Sequence, residues 1–130
     1  MNKTMLVIII IVSLTPAIIL LIYGGLSPKI EVNNSEVKIT GMFGITVKKS
    51  DIISVSMCDT LPPVKWRTCG YSFLGINKGK FKLKDGKTCF LFIQTEKPSF
   101  ILIEKTDSVP LYINYKDKEL TERYFAELKK

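Results

Sequence analysis

Residues Met5 to Tyr23 form one uninterrupted apolar run, and after Pro28 the pattern changes to short alternating stretches broken by turn residues. At about 1.5 Å per residue, a helix over this run comes close to the roughly 30 Å hydrocarbon thickness of a bilayer. The pattern therefore predicts a membrane-spanning helix, kinked near Pro16 and with Tyr23 at the interface. Gly24 to Pro28 reads as a turn-rich linker. The division expected is an anchor over residues 1–23, a linker over 24–28 and one folded domain over 29–130.

Within that domain, Lys29 to Val32, Val37 to Thr40 and Ile45 to Lys48 read as strands, separated by Asn33-Asn34-Ser35 and by Gly41 to Gly44. The Asn-Asn-Ser sequence is read as turn chemistry, not as a glycan site. Ile53, Val55 and Met57 alternate with Ser54 and Ser56 until Leu61-Pro62-Pro63 ends the strand. Val64 to Cys69 gives another strand, with Gly70 to Asn77 expected as a loop. Lys78 to Lys84 and Lys87 to Gln94 flank Asp85-Gly86, a hairpin turn signal. If only those two residues form the loop, Phe81 faces Phe90 and Gly79 faces Phe92, so Phe81, Leu83, Phe90 and Phe92 share the core face. Phe100 to Ile103 and Leu111 to Ile113 add two strands. The chain closes in a helical period, with Leu120, Tyr124, Phe125 and Leu128 on one face and Asp117 as N-cap.

Charge adds a bias to this layout. Lys3 is the only charged side chain before Lys29, so nearly all of the net charge of +7 falls on the domain, which favours anionic partners. The sharpest local feature is Lys78, Lys80, Lys82 and Lys84, spaced by two so that their ammonium groups share one face of a strand. With Lys65 and Arg67 they form the candidate contact with an anionic surface. The structural alternative is that the lysines protect an exposed edge strand and cover Leu91 and Ile93 with their stems.

Catalytic chemistry finds little support. The chain has no His, which removes the commonest general base and metal ligand. Gly75 to Lys80 resembles a phosphate-binding loop, but it is one residue short, is followed by Phe81 and precedes a hairpin instead of a helix. Cys58, Cys69 and Cys89 have no metal-ligand spacing; a Cys58 to Cys69 bridge stays open for an oxidising compartment. No catalytic residue, cofactor or metal is expected, and no nucleic-acid reader motif is present.

Strands followed by one C-terminal amphipathic helix is the order of a PH-like domain, a bent sheet or barrel capped by that helix. Leu26-Ser27-Pro28-Lys29-Ile30, Gly41-Met42-Phe43-Gly44, Ser50-Asp51-Ile52, Leu61-Pro62-Pro63, Arg67-Thr68-Cys69-Gly70, Gly79-Lys80-Phe81 and Tyr112-Ile113-Asn114 resemble the bacterial PH-domain family of small membrane proteins. The resemblance spans about residues 29 to 128 and implies a mainly β fold without catalytic chemistry. It supplies no ligand.

The function expected is a single-pass, membrane-anchored interaction module for a protein partner or anionic lipid head groups. The alternatives are a secreted binding protein after cleavage of the apolar segment, and an enzyme using a pocket under Gly70 to Asn77. Lys3 and the terminal amine lie closest to the span, while Glu31 and Glu36 dilute the charge after it. This balance places the N-terminus inside and the domain outside the cytoplasm.

Overall fold

The computed structural model describes residues 2–130. The first helix, α1, runs over Lys3–Gly25 without interruption at Pro16. It starts where the Asn2 side chain accepts a hydrogen bond from the Met5 amide at 2.8 Å, an N-cap that supplies one of the unpaired donors of the first turn. Ser13 and Thr15 donate their hydroxyls back to the Ile10 and Ile11 carbonyls at 3.0 and 2.7 Å, so neither hydroxyl is left unpaired in the apolar run. The helix is long and apolar enough to cross a membrane, and none of its most apolar 18-residue stretch is buried against the rest of the chain. It also takes in Gly24 and Gly25, which the sequence pattern assigns to the linker.

Nine strands and a second helix follow. β1 (Ile30–Val32), β2 (Glu36–Ile39) and β3 (Ile45–Lys48) form a three-stranded antiparallel sheet. Asn33 forms the expected turn between the first two, its Oδ1 accepting from the Ser35 and Glu36 amides at 2.9 and 2.8 Å. A single 3-10 turn leads into β4 (Ile52–Cys58), and β5 (Val64–Phe73), β6 (Ile76–Leu83), β7 (Thr88–Ile93), β8 (Phe100–Lys105) and β9 (Leu111–Ile113) complete a second sheet in the order β4-β8-β9-β7-β6-β5. β7 and β9 are parallel and all other pairs antiparallel. The chain is thus mainly β, with an apolar helix at its start and an amphipathic one at its end, but the two sheets do not close into a barrel.

Three readings from the pattern need correction. Gly70 to Asn77 is not a loop: β5 runs to Phe73 and β6 starts at Ile76, leaving Leu74 and Gly75 as a two-residue turn with φ of 50° and 82°. Two successive positive φ values make a type I′ turn, which normally carries Asn-Gly or Gly-Gly, and a Leu in the first place hides the signal. The β6–β7 loop also has three residues instead of two. The Leu83 amide bonds the Lys87 carbonyl at 2.8 Å, the Gly86 amide bonds the Leu83 carbonyl at 3.0 Å, and Gly86 has φ 91°. That extra residue shifts the register by one, so Phe81 faces Cys89 and Lys80 faces Phe90, and a shift of one sends the β7 side chains to the opposite face. Phe81 and Leu83 therefore join Cys89, Leu91 and Ile93, while Phe90 and Phe92 lie on the other side. Finally, β6 lies between β5 and β7, and the sheet edges are β4 and β5. The lysine strand is not an edge, and edge protection does not explain its charges.

The main core lies between the two sheets, with Ile30, Val37, Ile39, Phe92, Ile101, Ile103, Leu111 and Ile113 buried together. Helix α2 (Lys118–Leu128) closes it, with Leu120, Tyr124, Phe125 and Leu128 packed on this cluster as their common face predicts. Asp117 caps the helix by accepting from the Glu119 amide at 3.0 Å. Tyr124 stacks on the buried Tyr115 at 5.1 Å between ring centres. A second cluster of Phe81, Leu83, Cys89, Leu91, Ile93 and Phe100 lies on the outer face of the large sheet.

Candidate functional site

The C-terminal end of α1 is fastened to the ends of β5, β6 and β7. Gly24 is buried, and a Cβ there would stand 2.2 Å from Cε2 of the Tyr71 ring, so only glycine lets the helix approach this closely. The Tyr71 hydroxyl donates to the Leu21 carbonyl at 2.8 Å. Lys78 donates its ammonium to the Leu26 carbonyl, and Gln94 Nε2 donates to the same oxygen at 3.2 Å. Two residues on, the Tyr115 hydroxyl donates to the Pro28 carbonyl at 2.7 Å. Carbonyls at a helix C-terminus lack intrahelical donors and carry the negative end of the dipole, so an ammonium placed there supplies both a hydrogen bond and a favourable charge.

That role takes Lys78 out of the exposed lysine stripe. Lys78 is only 1% exposed, and burial pushes its ammonium down to about 8 from an ordinary value of 10.5. The other residues of the candidate anionic contact are dispersed. Lys80 is exposed, with its Nζ 5.9 Å from the centre of the Phe90 ring, Lys82 is half-buried, and Lys84 lies exposed in the hairpin loop. Lys65 is exposed, its Nζ 4.6 Å above Trp66. Arg67 faces Phe81 across the β5–β6 pair, so it belongs to the opposite face of the sheet.

Two partners of these residues escape a reading by spacing. Lys105 brings its Nζ to 5.3 Å from the same Phe90 ring and pairs with Asp107 at 3.4 Å. The Asp107 carboxyl is held below its usual value, first by the Val109 amide and then by Lys105. Asn114 is fully buried; its Oδ1 accepts from the Gln94 amide at 2.9 Å and its Nδ2 donates to the Thr95 and Lys97 carbonyls at 2.9 and 3.2 Å. It fixes the segment after β7 beside the β5–β6 turn. Nothing in the one-dimensional pattern brings Lys105 to Phe90 or Asn114 to Gln94; both depend on the β7–β9 and β8–β9 pairings.

Above the second cluster lies an open groove of about 580 Å³, floored by Phe81, Leu91 and Phe100 and rimmed by Asp59, Arg67 and Glu96. Its polar rim and apolar floor suit an amphipathic ligand or a peptide segment. Among the described residues, no three His, Cys, Asp or Glu side chains come together as a metal-binding group. The three thiols are free. Cys69 is exposed and Cys58 half-buried, while burial pushes the Cys89 thiol up to about 11. No family model, curated protein or solved structure matches the chain.

Proposed function

We propose that this chain is a membrane-anchored, non-enzymatic interaction module, with α1 retained as a single-pass anchor and the β domain held at the bilayer surface. The observation that carries this reading is the joint at the end of α1. Tyr71, Lys78 and Gln94 all use carbonyls of residues Leu21 and Leu26, contacts that would be lost if the segment were removed after secretion. A domain surface shaped to receive the helix end, with Gly24 packed against Tyr71, supports a helix that is retained.

The mainly β body closed by an amphipathic helix supports a PH-like domain of the kind that the sequence resembles. Its partner is a protein segment or anionic lipid head groups, met by the exposed lysines and the groove. The charge balance around α1 supports an extracytoplasmic domain.

Cys69 provides a built-in reporter for the test, because it is exposed while Cys89 is buried and harder to ionise. The intact chain should stay in the membrane fraction after carbonate washing, with its N-terminal residues retained by mass. An impermeant maleimide should label Cys69 in whole cells. A soluble product beginning near Ser27 would sink the anchor, and labelling only after cell lysis would place the domain in the cytoplasm.

A further inference from the structure

The β5–β6 turn shows an apolar side chain where both backbone and solvent favour a polar one. Leu74 is 84% exposed, with φ at 50°, and Phe73 beside it is 44% exposed. A left-handed backbone is uncommon outside Gly, Asn and Asp, and Asn at this turn position would satisfy both the conformation and the solvent. The choice of Leu calls for an apolar environment around the tip.

The joint shows what that environment is. Following β6 backward from Lys78 to Ile76, the contacts on α1 move from the Leu26 carbonyl to Gly25, where a Cβ would lie 3.9 Å from Ile76 Cδ1. On β5, the contacts of Tyr71 reach Gly24 and the Leu21 carbonyl. Tyr71 and Lys78 are partners in the β5–β6 register, so the hairpin is held by its base against the last turns of α1, between Leu21 and Leu26. Leu21 lies about 7.5 Å deeper than Leu26 along the helix, and the turn at Leu74 and Gly75 follows Tyr71 by only three residues, which keeps the tip close to the end of the candidate span. Around the tip sit the exposed Lys97 and Lys116 together with the exposed Glu96, which line a shallow hollow with Leu74 and Gly75. An apolar point beside two lysines, which outnumber the single carboxylate of Glu96, fits the layering of a bilayer interface, where hydrocarbon and phosphate lie a few ångströms apart.

We propose that the β5–β6 turn is a second membrane contact, in which Phe73 and Leu74 enter the lipid interface beside α1 while Lys97 and Lys116 meet lipid phosphates. The proposal rests on α1 being a retained anchor, and the occupant of the tip is the lipid itself. Contact at two points fixes the tilt of the domain against the membrane, which a single helix would leave to the linker.

The test uses the full chain in liposomes containing phosphatidylglycerol, with a nitroxide attached at Leu74→Cys in a Cys58→Ser, Cys69→Ser background. Collision with oxygen, which concentrates in lipid, is compared with collision with a water-soluble nickel chelate. Val12→Cys reports the anchor, and Asp85→Cys reports the far end of β6, roughly 25 Å from the turn. The expected result is an oxygen-to-nickel ratio at position 74 several-fold above that at 85 and below that at 12. If position 12 is in lipid while 74 resembles 85, the turn proposal falls and the anchor stands. If position 12 is itself reached by nickel, the anchor reading falls and the proposal with it. Shielding of position 74 from both reagents would indicate a protein contact in place of lipid and would also overturn it.

Discussion

Replacing Lys78 by Met tests the joint between helix and sheet directly. Met keeps the length of the stem and removes a charge that is 1% exposed. A fall in pKa from 10.5 to about 8 is equivalent to about 3 kcal/mol for a wholly dry ammonium. Its acceptor lies on Leu26, which is itself exposed, and screening there reduces the effect to about 1–2 kcal/mol. The folded-state value is lowered, so below pH 8 both states are protonated and the burial penalty is present in full. Between pH 8 and 10.5 the folded protein releases its proton while the unfolded chain keeps it, so Lys78 makes the wild type more stable as pH rises. Cys89 acts in the opposite direction from about pH 9, since burial holds its thiol protonated up to about 11, and raised values at Tyr112 and Tyr115 oppose stability at still higher pH. These contributions are common to both proteins and cancel in the difference. Urea unfolding of the full chain in detergent, followed through the single tryptophan, Trp66, should show the wild type gaining about 1–2 kcal/mol on Lys78→Met across that window. A difference that stays flat from pH 7 to 10.5 would mean that Lys78 is as well hydrated in the folded state as in the unfolded one, and the joint as described would be wrong.

Phe125→Ala should cost about 1.5–3 kcal/mol in thermal unfolding, less than the 3–5 kcal/mol of a fully buried ring, because Phe125 is half-buried in the seam under α2; no change would detach the helix from the core. Lys80, Lys82 and Lys84 changed together to Gln should alter stability by less than about 1 kcal/mol. Nanodiscs carrying the wild-type chain should capture acidic vesicles at low salt and release them as screening shortens to about 8 Å, with most capture lost in the triple variant. Equal capture by the two proteins would remove these lysines from the anionic contact.

Elements set by local chemistry were readable along the chain. The apolar run, the Asx turn at Asn33, β3 over Ile45–Lys48, β9 over Leu111–Ile113 and the Asp117 cap all appear where the pattern places them. What resisted was set by single residues with long consequences. Gly86 lengthens a turn by one and sends Phe90 and Phe92 to the face opposite Phe81 and Leu83. Leu74 occupies a place where only Asn or Gly would signal a turn, so the pattern presents a ten-residue strand as a short one followed by a loop. Lys78 is indistinguishable in sequence from Lys80, yet the first meets a carbonyl 52 residues away and the second faces solvent. Gly24-Gly25 resembles a linker because the notch that receives Tyr71 exists only once β5 has folded. These features belong to tertiary structure, which overrides spacing.

The passage from α1 to β1 consists of four residues, Leu26 to Lys29. It is pinned at Leu26 by Lys78 and Gln94 and at Pro28 by Tyr115. A free four-residue tether would let a domain sweep a radius of about 14 Å, raising its odds of meeting partners from many directions. Here that search volume collapses, and the domain becomes a crank on the end of a shaft. Each residue of helix corresponds to about 100° of rotation, so turning or re-registering α1 by one residue in the membrane would swing the groove and the lysines by more than a quarter circle. If α1 is the anchor proposed above, partners would approach from one azimuth, and torque on the helix would be transmitted to the domain instead of being lost in slack.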